Sequence, residues 1–270
     1  MTLCASQEVE RHIREAQRLW LFLDYDGTLA DFAPTPDYVQ QQSEVVALLN
    51  ALTRHPDVRV TVISGRRLGQ IEQLVPVPQA MLAGTYGVEL RLPGGQRVDR
   101  ASYDEVRPLL EAIKPRWKGL IGDREGFFLE DKGWALAIHA KLAAQDEAEM
   151  VLGAARRAAS PGMGEATVHD AFRVLDGSKF LEIAPVLAHK GKTVAYLLDR
   201  YPWDALPLYV GDDDKDEEAF PVIQSRGGIA VRVCEGPCAT KADGRVRSPD
   251  EVRRWLAGLP RHVAAHQAGT

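Results

Sequence analysis

The stretch Leu19-Trp20-Leu21-Phe22-Leu23-Asp24-Tyr25-Asp26-Gly27-Thr28-Leu29 decides how this chain is read. An unbroken apolar run closed by a turn-prone Asp-Gly is the pattern of a buried strand that empties into a loop. Asp24 then stands at the carboxyl end of that strand, which is where open parallel sheets bind their ligands. Two carboxylates two residues apart suit phosphoryl chemistry, one attacking phosphorus while the other gives and later takes a proton. An ordinary Asp-Gly turn, with Asp24 as a helix cap, accounts for the same residues, so the rest of the chain has to separate the two readings.

Outward from this strand, Val45, Leu48, Leu49 and Leu52 recur at helical spacing, and Val58 to Ile63 reads as a second strand. Ser64-Gly65 is expected to open a helix that runs through Leu74. Towards the C-terminus, helices over 192–198 and 216–222 alternate with strands over 207–210 and 228–233. The alternation predicts an α/β fold, a doubly wound and mainly parallel sheet with a Rossmann-like core. The middle reads differently, with strands over 127–130, 134–139, 167–175 and 180–183 and one helix over 145–158. It is expected to form an inserted α+β cap domain, 105–184, between core segments 1–104 and 185–270, with hinges at Asp99 to Glu105 and Ala184 to Leu187.

The second chemical signal is Gly211-Asp212-Asp213-Asp214-Lys215-Asp216-Glu217, which again follows an apolar strand. So many carboxylates repel one another without a cation, and hard oxygen donors of this kind suit Mg²⁺, which takes one or two protein carboxylates beside substrate phosphate. A solvated acidic loop at a helix start is the plainer explanation. Both acidic clusters, however, fall at strand ends of one sheet, and so does Ser64 in Ser64-Gly65-Arg66, a hydroxyl suited to a phosphate oxygen. Lys190, in His189-Lys190-Gly191-Lys192-Thr193, adds a point charge for phosphate. A P-loop is excluded there because Val186 stands where its first glycine belongs.

Composition bounds these readings. The chain has 270 residues, 45% of them hydrophobic and 26% charged, the balance of a globular protein. A formal net charge of -5 argues against a nucleic-acid substrate, whose binding needs clustered Lys and Arg. No apolar run reaches the length of a signal peptide or of the roughly 20 residues of a membrane span, so a cytoplasmic protein without a membrane partner is expected. Cys4, Cys234 and Cys238 lack C-x-x-C spacing and are expected to be free thiols. His262 and His266 sit four apart but lack the glutamate of the helical zinc motif.

Together, the Asp24-x-Asp26-Gly27-Thr28 strand end, Ser64, Lys190 and the acidic cluster at Asp212 resemble the haloacid dehalogenase superfamily of phosphatases, in matching order. The resemblance covers about residues 19 to 100 and 180 to 235. It implies that Asp24 is the nucleophile and Asp26 the general acid and base, with Ser64 and Lys190 on the phosphate. It further implies Mg²⁺ held by Asp24, Asp212 and the backbone carbonyl of Asp26, with Asp213 and Asp216 in or next to its ligand shell.

Within the superfamily the chain is most similar to the trehalose-6-phosphate phosphatases. The similarity rests on Leu23 to Ala30, Ile63 to Arg66, Ala83-Gly84 with Gly87-Val88-Glu89, and Leu208 to Phe220. In the cap, Glu130-Asp131-Lys132, His139 and Glu182 look like that family's sugar-contacting elements, with Arg66 a further candidate for substrate binding. A small sugar phosphate as substrate is what this resemblance implies; a monomer is expected, and the inserted strand-rich segment leads to the expectation of a cap that closes over the substrate. Three departures bear on the substrate: Tyr86 stands for the usual His, His189 for Asn, and Ala140-Lys141 for an aromatic-Arg pair. Mannosyl- or glucosyl-3-phosphoglycerate is the alternative substrate class. From a different class, a metal-binding scaffold without turnover is weakened by the presence of Asp24, Asp26 and Lys190 together.

Overall fold

The computed structural model describes residues 3–31, 41–159 and 171–267. The chain divides into two compact units, 1–98 with 189–270 and, inserted between them, 99–188. The divisions fall within six residues of the boundaries expected from sequence at one end and four at the other.

Among the described residues the first unit is built on a nine-stranded sheet. In chain order its strands are β1 (Cys4–Ala5), β2 (Leu19–Asp24), β3 (Val58–Ile63), β4 (Met81–Gly84), β5 (Glu89–Arg91) and β6 (Arg97–Asp99) before the insertion. The second unit contributes the next four strands, and the first unit resumes with β11 (Leu206–Gly211), β12 (Ile229–Val233) and β13 (Gly244–Val246). The spatial order is β1-β13-β12-β11-β2-β3-β4-β5-β6, parallel from β13 to β4, with β1 antiparallel to β13 and β5 antiparallel to β4.

β2 is central, and all six of its residues are buried, which is why it reads as a continuous apolar run. Alternation then sends its side chains to opposite faces. Leu19, Leu21 and Leu23 pack with Val45 and Leu49 of the helix Ser43–Thr53 and with Leu256 of the last helix (Pro249–Gln267). Trp20 and Phe22 pack on the other face with Val194 and Leu197 of the helix Lys190–Arg200 and with Phe220 and Ile223 of Phe220–Ser225. One strand thus supplies both cores of the doubly wound arrangement, and Trp20 satisfies its indole N–H by donating to Thr61 Oγ1 at 2.9 Å.

The second unit is an antiparallel sheet in the order β7 (Phe128–Asp131), β8 (Leu136–His139), β10 (Phe180–Pro185), β9 (Phe172–Gly177), with two helices. One of them, Gln145–Ala159, matches expectation. The other, Tyr103–Ile121, departs from the expectation of a single helix in this unit, and Pro108 and Pro115 lie inside it. An interior proline removes one backbone hydrogen bond and costs roughly 3 kcal/mol. The buried stripe Val106, Leu110, Ile113, Trp117 and Ile121 outweighs that cost, and Trp117 also donates to Ala155 O at 2.9 Å.

Several local expectations are corrected. The helix after β3 starts at Leu68 rather than Ser64, so Ser64-Gly65-Arg66 is loop. The segment expected as one helix over 216–222 is a 3₁₀ turn, Asp216–Glu218, followed by the short helix Phe220–Ser225. Cys234 and Cys238 are joined in a disulfide, their Cα atoms 6.8 Å apart across a loop, and only Cys4 of the three is free. The residues 167–170 of one expected strand and the side chains of His262 and His266 lie outside the described residues. No helix among the described residues is long and apolar enough to cross a membrane.

Candidate active site

Strands β11, β2 and β3 are hydrogen-bonded neighbours, with Val210 beside Leu23 and Asp24 beside Ile63. Their carboxyl ends therefore bring the acidic segment after Gly211, the Asp24 turn and the Ser64 loop side by side, although these lie far apart in sequence. Asp24 is 5% exposed and ends the central strand. The chain then reverses at once: Tyr25 O accepts from the amides of Leu29 and Ala30, and Gly27, at φ 82°, allows the turn that carries Asp26.

Lys190 opens the helix Lys190–Arg200 and is 2% exposed. Its Nζ lies 2.8 Å from Asp24 Oδ1 and 2.7 Å from Asp216 Oδ1, with Asp213 Oδ1 at 3.6 Å. The helix start is placed there by close packing, since a Cβ on Gly191 would sit 2.2 Å from Glu218 O. His189 caps it, its Nδ1 accepting from Lys192 N at 3.3 Å.

Asp216 is fully buried and accepts from four donors: Lys190 Nζ and the Tyr209 hydroxyl (2.6 Å) on Oδ1, and the amides of Asp212 and Asp213 (each 3.0 Å) on Oδ2. The acidic loop is thereby folded around its own side chain. Asp213 Oδ1 accepts from the amides of Lys215 and Asp216, closing the same turn. Asp212 points its Oδ1 at the Thr28 hydroxyl, 3.1 Å away.

Asp24, Asp212 and Asp216 each hold a carboxylate oxygen within 4.8 Å of the others. Burial pushes all three carboxyls up from the usual range, Asp212 to about 7, while Lys190 pulls them back. For Asp213, burial also pushes up, but Lys190 and the hydrogen bonds from its turn prevail and bring it down to about 2. Lys190 is destabilised by burial, yet its acidic neighbours hold it well above the ordinary lysine value. One ammonium among these carboxylates leaves an excess of buried negative charge, and oxygen donors so arranged fit a hard divalent cation.

Ser64 is buried, and its Oγ accepts from Arg66 N at 3.1 Å. Arg66 reaches back to Asp26, Nε to Oδ2 and Nη2 to Oδ1, both at 2.7 Å. In the second unit Glu130 and His139 meet at 2.9 Å, and Lys132 meets Glu182 at 2.7 Å. The strand register places Glu130 and Glu182 either side of Ala137, with Phe128 and Phe180 either side of His139, so these residues share one face of that sheet. Glu182 is fully buried, its carboxyl pushed up by burial against the pull of Lys132, and its Oε1 has no hydrogen-bond partner among the described residues.

Sequence reasoning gave no role to Tyr209, Thr28, Thr85 or Thr193. Thr85 Oγ1 donates to Glu89 Oε2 at 3.0 Å and Thr193 Oγ1 to Tyr86 O at 2.8 Å, and both residues are fully buried. A polar residue inside an apolar strand, as Tyr209 is, was the one available signal.

A buried lysine among carboxylates at adjoining strand ends of a doubly wound sheet fits the haloacid dehalogenase resemblance carried by the sequence. Comparison with known proteins gives the particular family. The model of the trehalose-phosphatase family matches residues 22–250, and the chain belongs to that family. It is 31% identical to a probable trehalose-phosphate phosphatase of Sinorhizobium fredii over 88% of this chain and 86% of that protein. It is 32% identical to the trehalose-phosphate phosphatase of Mycobacterium tuberculosis over 90% of this chain and 61% of that one, so it spans less than two thirds of the mycobacterial protein.

Among solved structures, the C-terminal domain of Candida albicans trehalose-6-phosphate phosphatase superposes with a TM-score of 0.82 at 20% identity, covering 96% of this chain and 99% of that one. The C-terminal domain of the Candida albicans trehalose synthase regulatory protein has the same fold, with a TM-score of 0.75 at 14% identity, covering 96% and 99%. Since a phosphatase and a regulatory protein share this fold, function has to be argued from the site.

Proposed function

We propose that the chain hydrolyses trehalose 6-phosphate to trehalose and phosphate through an aspartyl-phosphate on Asp24. The observation that carries the reading is the Lys190 ammonium, buried and bound to both Asp24 and Asp216. A scaffold would gain nothing from burying so costly a cluster, whereas a nucleophilic carboxylate needs a fixed direction and neighbouring positive charge for the phosphoryl group.

In the first half-reaction an Asp24 oxygen attacks phosphorus, the bond from phosphorus to the sugar oxygen breaks, and Asp26 gives that oxygen a proton. In the second, water attacks the aspartyl-phosphate, gives its proton to Asp26 and releases phosphate. Lys190 holds Asp24 in line, and together with Ser64 it offsets charge on the phosphoryl oxygens. Asp24, Asp212 and the Asp26 carbonyl would hold Mg²⁺, which when bound would supply further positive charge to those oxygens. Asp216, whose oxygens already accept from four donors, organises the loop that presents Asp212. Asp213 serves the same turn.

Glu130, Lys132, His139 and Glu182 are the candidates for sugar contacts. Their support is the unpartnered Glu182 Oε1, because a buried acceptor left unpaired costs free energy that a sugar hydroxyl recovers. Phosphate release with Mg²⁺ and with EDTA tests the reading, on a panel of trehalose 6-phosphate, glucose 6-phosphate and the glucosyl- and mannosyl-3-phosphoglycerates. Metal-dependent preference for trehalose 6-phosphate is expected. Preference for another member moves the substrate, and no release from any removes the enzyme reading. Light scattering on the purified protein checks the expected monomer.

A further inference from the structure

Arg66 forms the only hydrogen-bonded ion pair of the Asp26 carboxylate among the described residues, and it does so with a two-pronged fork, Nε on Oδ2 and Nη2 on Oδ1, both at 2.7 Å. We propose that Arg66 is a positioning residue which aims Asp26 at the leaving oxygen, rather than a contact for substrate; the proposal rests on the reading of Asp26 as general acid and base. Two parallel N–H···O bonds fix both the distance and the plane of a carboxylate, which a single donor or a lysine ammonium does not.

The fork is only as rigid as its base, and the base is held from several sides. Arg66 N donates to Ser64 Oγ at 3.1 Å, and Arg66 O accepts from Thr85 N at 2.7 Å. Tyr86 N donates to Ser64 O at 2.8 Å, and the Tyr86 ring covers Gly65 so closely that a Cβ there would sit 2.7 Å from its Cζ and Oη. Thr85 and Tyr86 hold this position at φ 48° and 55°, consecutive left-handed residues that are not glycine. Such backbone costs on the order of 1 kcal/mol per residue and persists only where the surroundings determine it. Here the determinants are Glu89, which accepts from Thr85 Oγ1 and Leu68 N, and Thr193, which donates to Tyr86 O.

The strained pair therefore ties the Arg66 loop to the helix that carries Lys190. Asp26 sits on a tight turn that fixes its backbone, but nothing in the turn fixes its side chain. The Arg66 fork, forty residues away in sequence, supplies that constraint. A misplacement of about 1 Å in a proton donor costs on the order of 10²-fold in rate.

The test is rapid-quench measurement of the first turnover on two substrates. Trehalose 6-phosphate has a leaving oxygen that needs a proton, and p-nitrophenyl phosphate has one that does not. Arg66→Ala and Arg66→Lys are expected to slow release of trehalose by about 10²-fold with KM within about threefold of the parent, and to slow release of p-nitrophenolate by less than about fivefold. Added guanidinium ion is expected to restore part of the loss in Arg66→Ala, which a misfolded variant would not show. In the Asp26→Asn background, removing Arg66 is expected to cost nothing more. Equal losses on both substrates, a raised KM with unchanged first turnover, or additive losses in the double variant overturn the proposal. If Asp26→Asn alone leaves the release of trehalose intact, the reading of Asp26 fails, and the role of Arg66 falls with it.

Discussion

Lys190 Nζ stands 2.7 Å from Asp216 Oδ1, and neither side chain reaches solvent by more than 2%. The pair joins the start of one helix to the acidic loop after β11, and through Asp24 to the end of the central strand. Lys190→Met leaves Asp24 and Asp216 as buried carboxylates without their cation. We expect it to abolish phosphate release and to lower stability by about 3–5 kcal/mol, as breaking a buried pair does. Urea unfolding in EDTA is the measurement, and a loss of activity with unchanged stability would contradict this account of the pair.

Asp24→Asn removes the proposed nucleophile while keeping shape. Phosphate release is expected to fall by at least about 10³-fold. Circular dichroism should be unchanged. A variant that keeps more than a tenth of the parent rate would show that Asp24 is not the attacking group.

Gly211→Ala places a Cβ 2.1 Å from Asp216 Cγ. Asp216 must move, and with it the amides of Asp212 and Asp213 that it holds. A stability loss of about 1–3 kcal/mol is expected from overpacking. A rise in the Mg²⁺ concentration needed for half-maximal activity should accompany it, read by titrating the metal.

In the second unit, hydrogen bonds from Arg107 hold the Asp131 carboxyl well below the usual carboxylate range, against the opposing effect of burial and with help from Lys114. A carboxyl depressed in the folded state adds stability above its unfolded value of about 3.9, and that stability is lost as pH falls towards the folded value. The difference in melting temperature between the parent and Asp131→Asn should be constant from pH 7 to about pH 5 and shrink below about pH 4. A gap that stays the same size from pH 5 down to pH 2 would assign the effect to packing.

Much of this was legible in the sequence for a short-range reason. Leu19 to Leu23 is a continuous apolar run because β2 is buried on both faces, and that pattern is written in neighbouring residues. The Asp24-Tyr25-Asp26-Gly27 turn and the Asp212 cluster are likewise local. What failed was local evidence pointing two ways. Pro108 and Pro115 speak against the helix Tyr103–Ile121, whereas its apolar stripe from Val106 to Ile121 speaks for it. Ser64-Gly65 looked like a helix start, yet the chain first spends three residues on the loop that carries Arg66. A search for C-x-x-C also missed a disulfide that spans one residue more.

The sequence by itself determined the doubly wound class and pointed to an inserted segment and to the acidic residue types at the strand ends, since periodicity and motif composition need only neighbouring positions. The tertiary structure alone decided which charges meet. Lys190 finds Asp24 across 166 residues and Arg66 finds Asp26 across 40, because parallel strands are joined by crossovers that bring distant strand ends together. It also separated Asp216, consumed by four donors within its own loop, from Asp212. A hydrogen bond depends on a few tenths of an ångström and on direction, and only the packed fold fixes both.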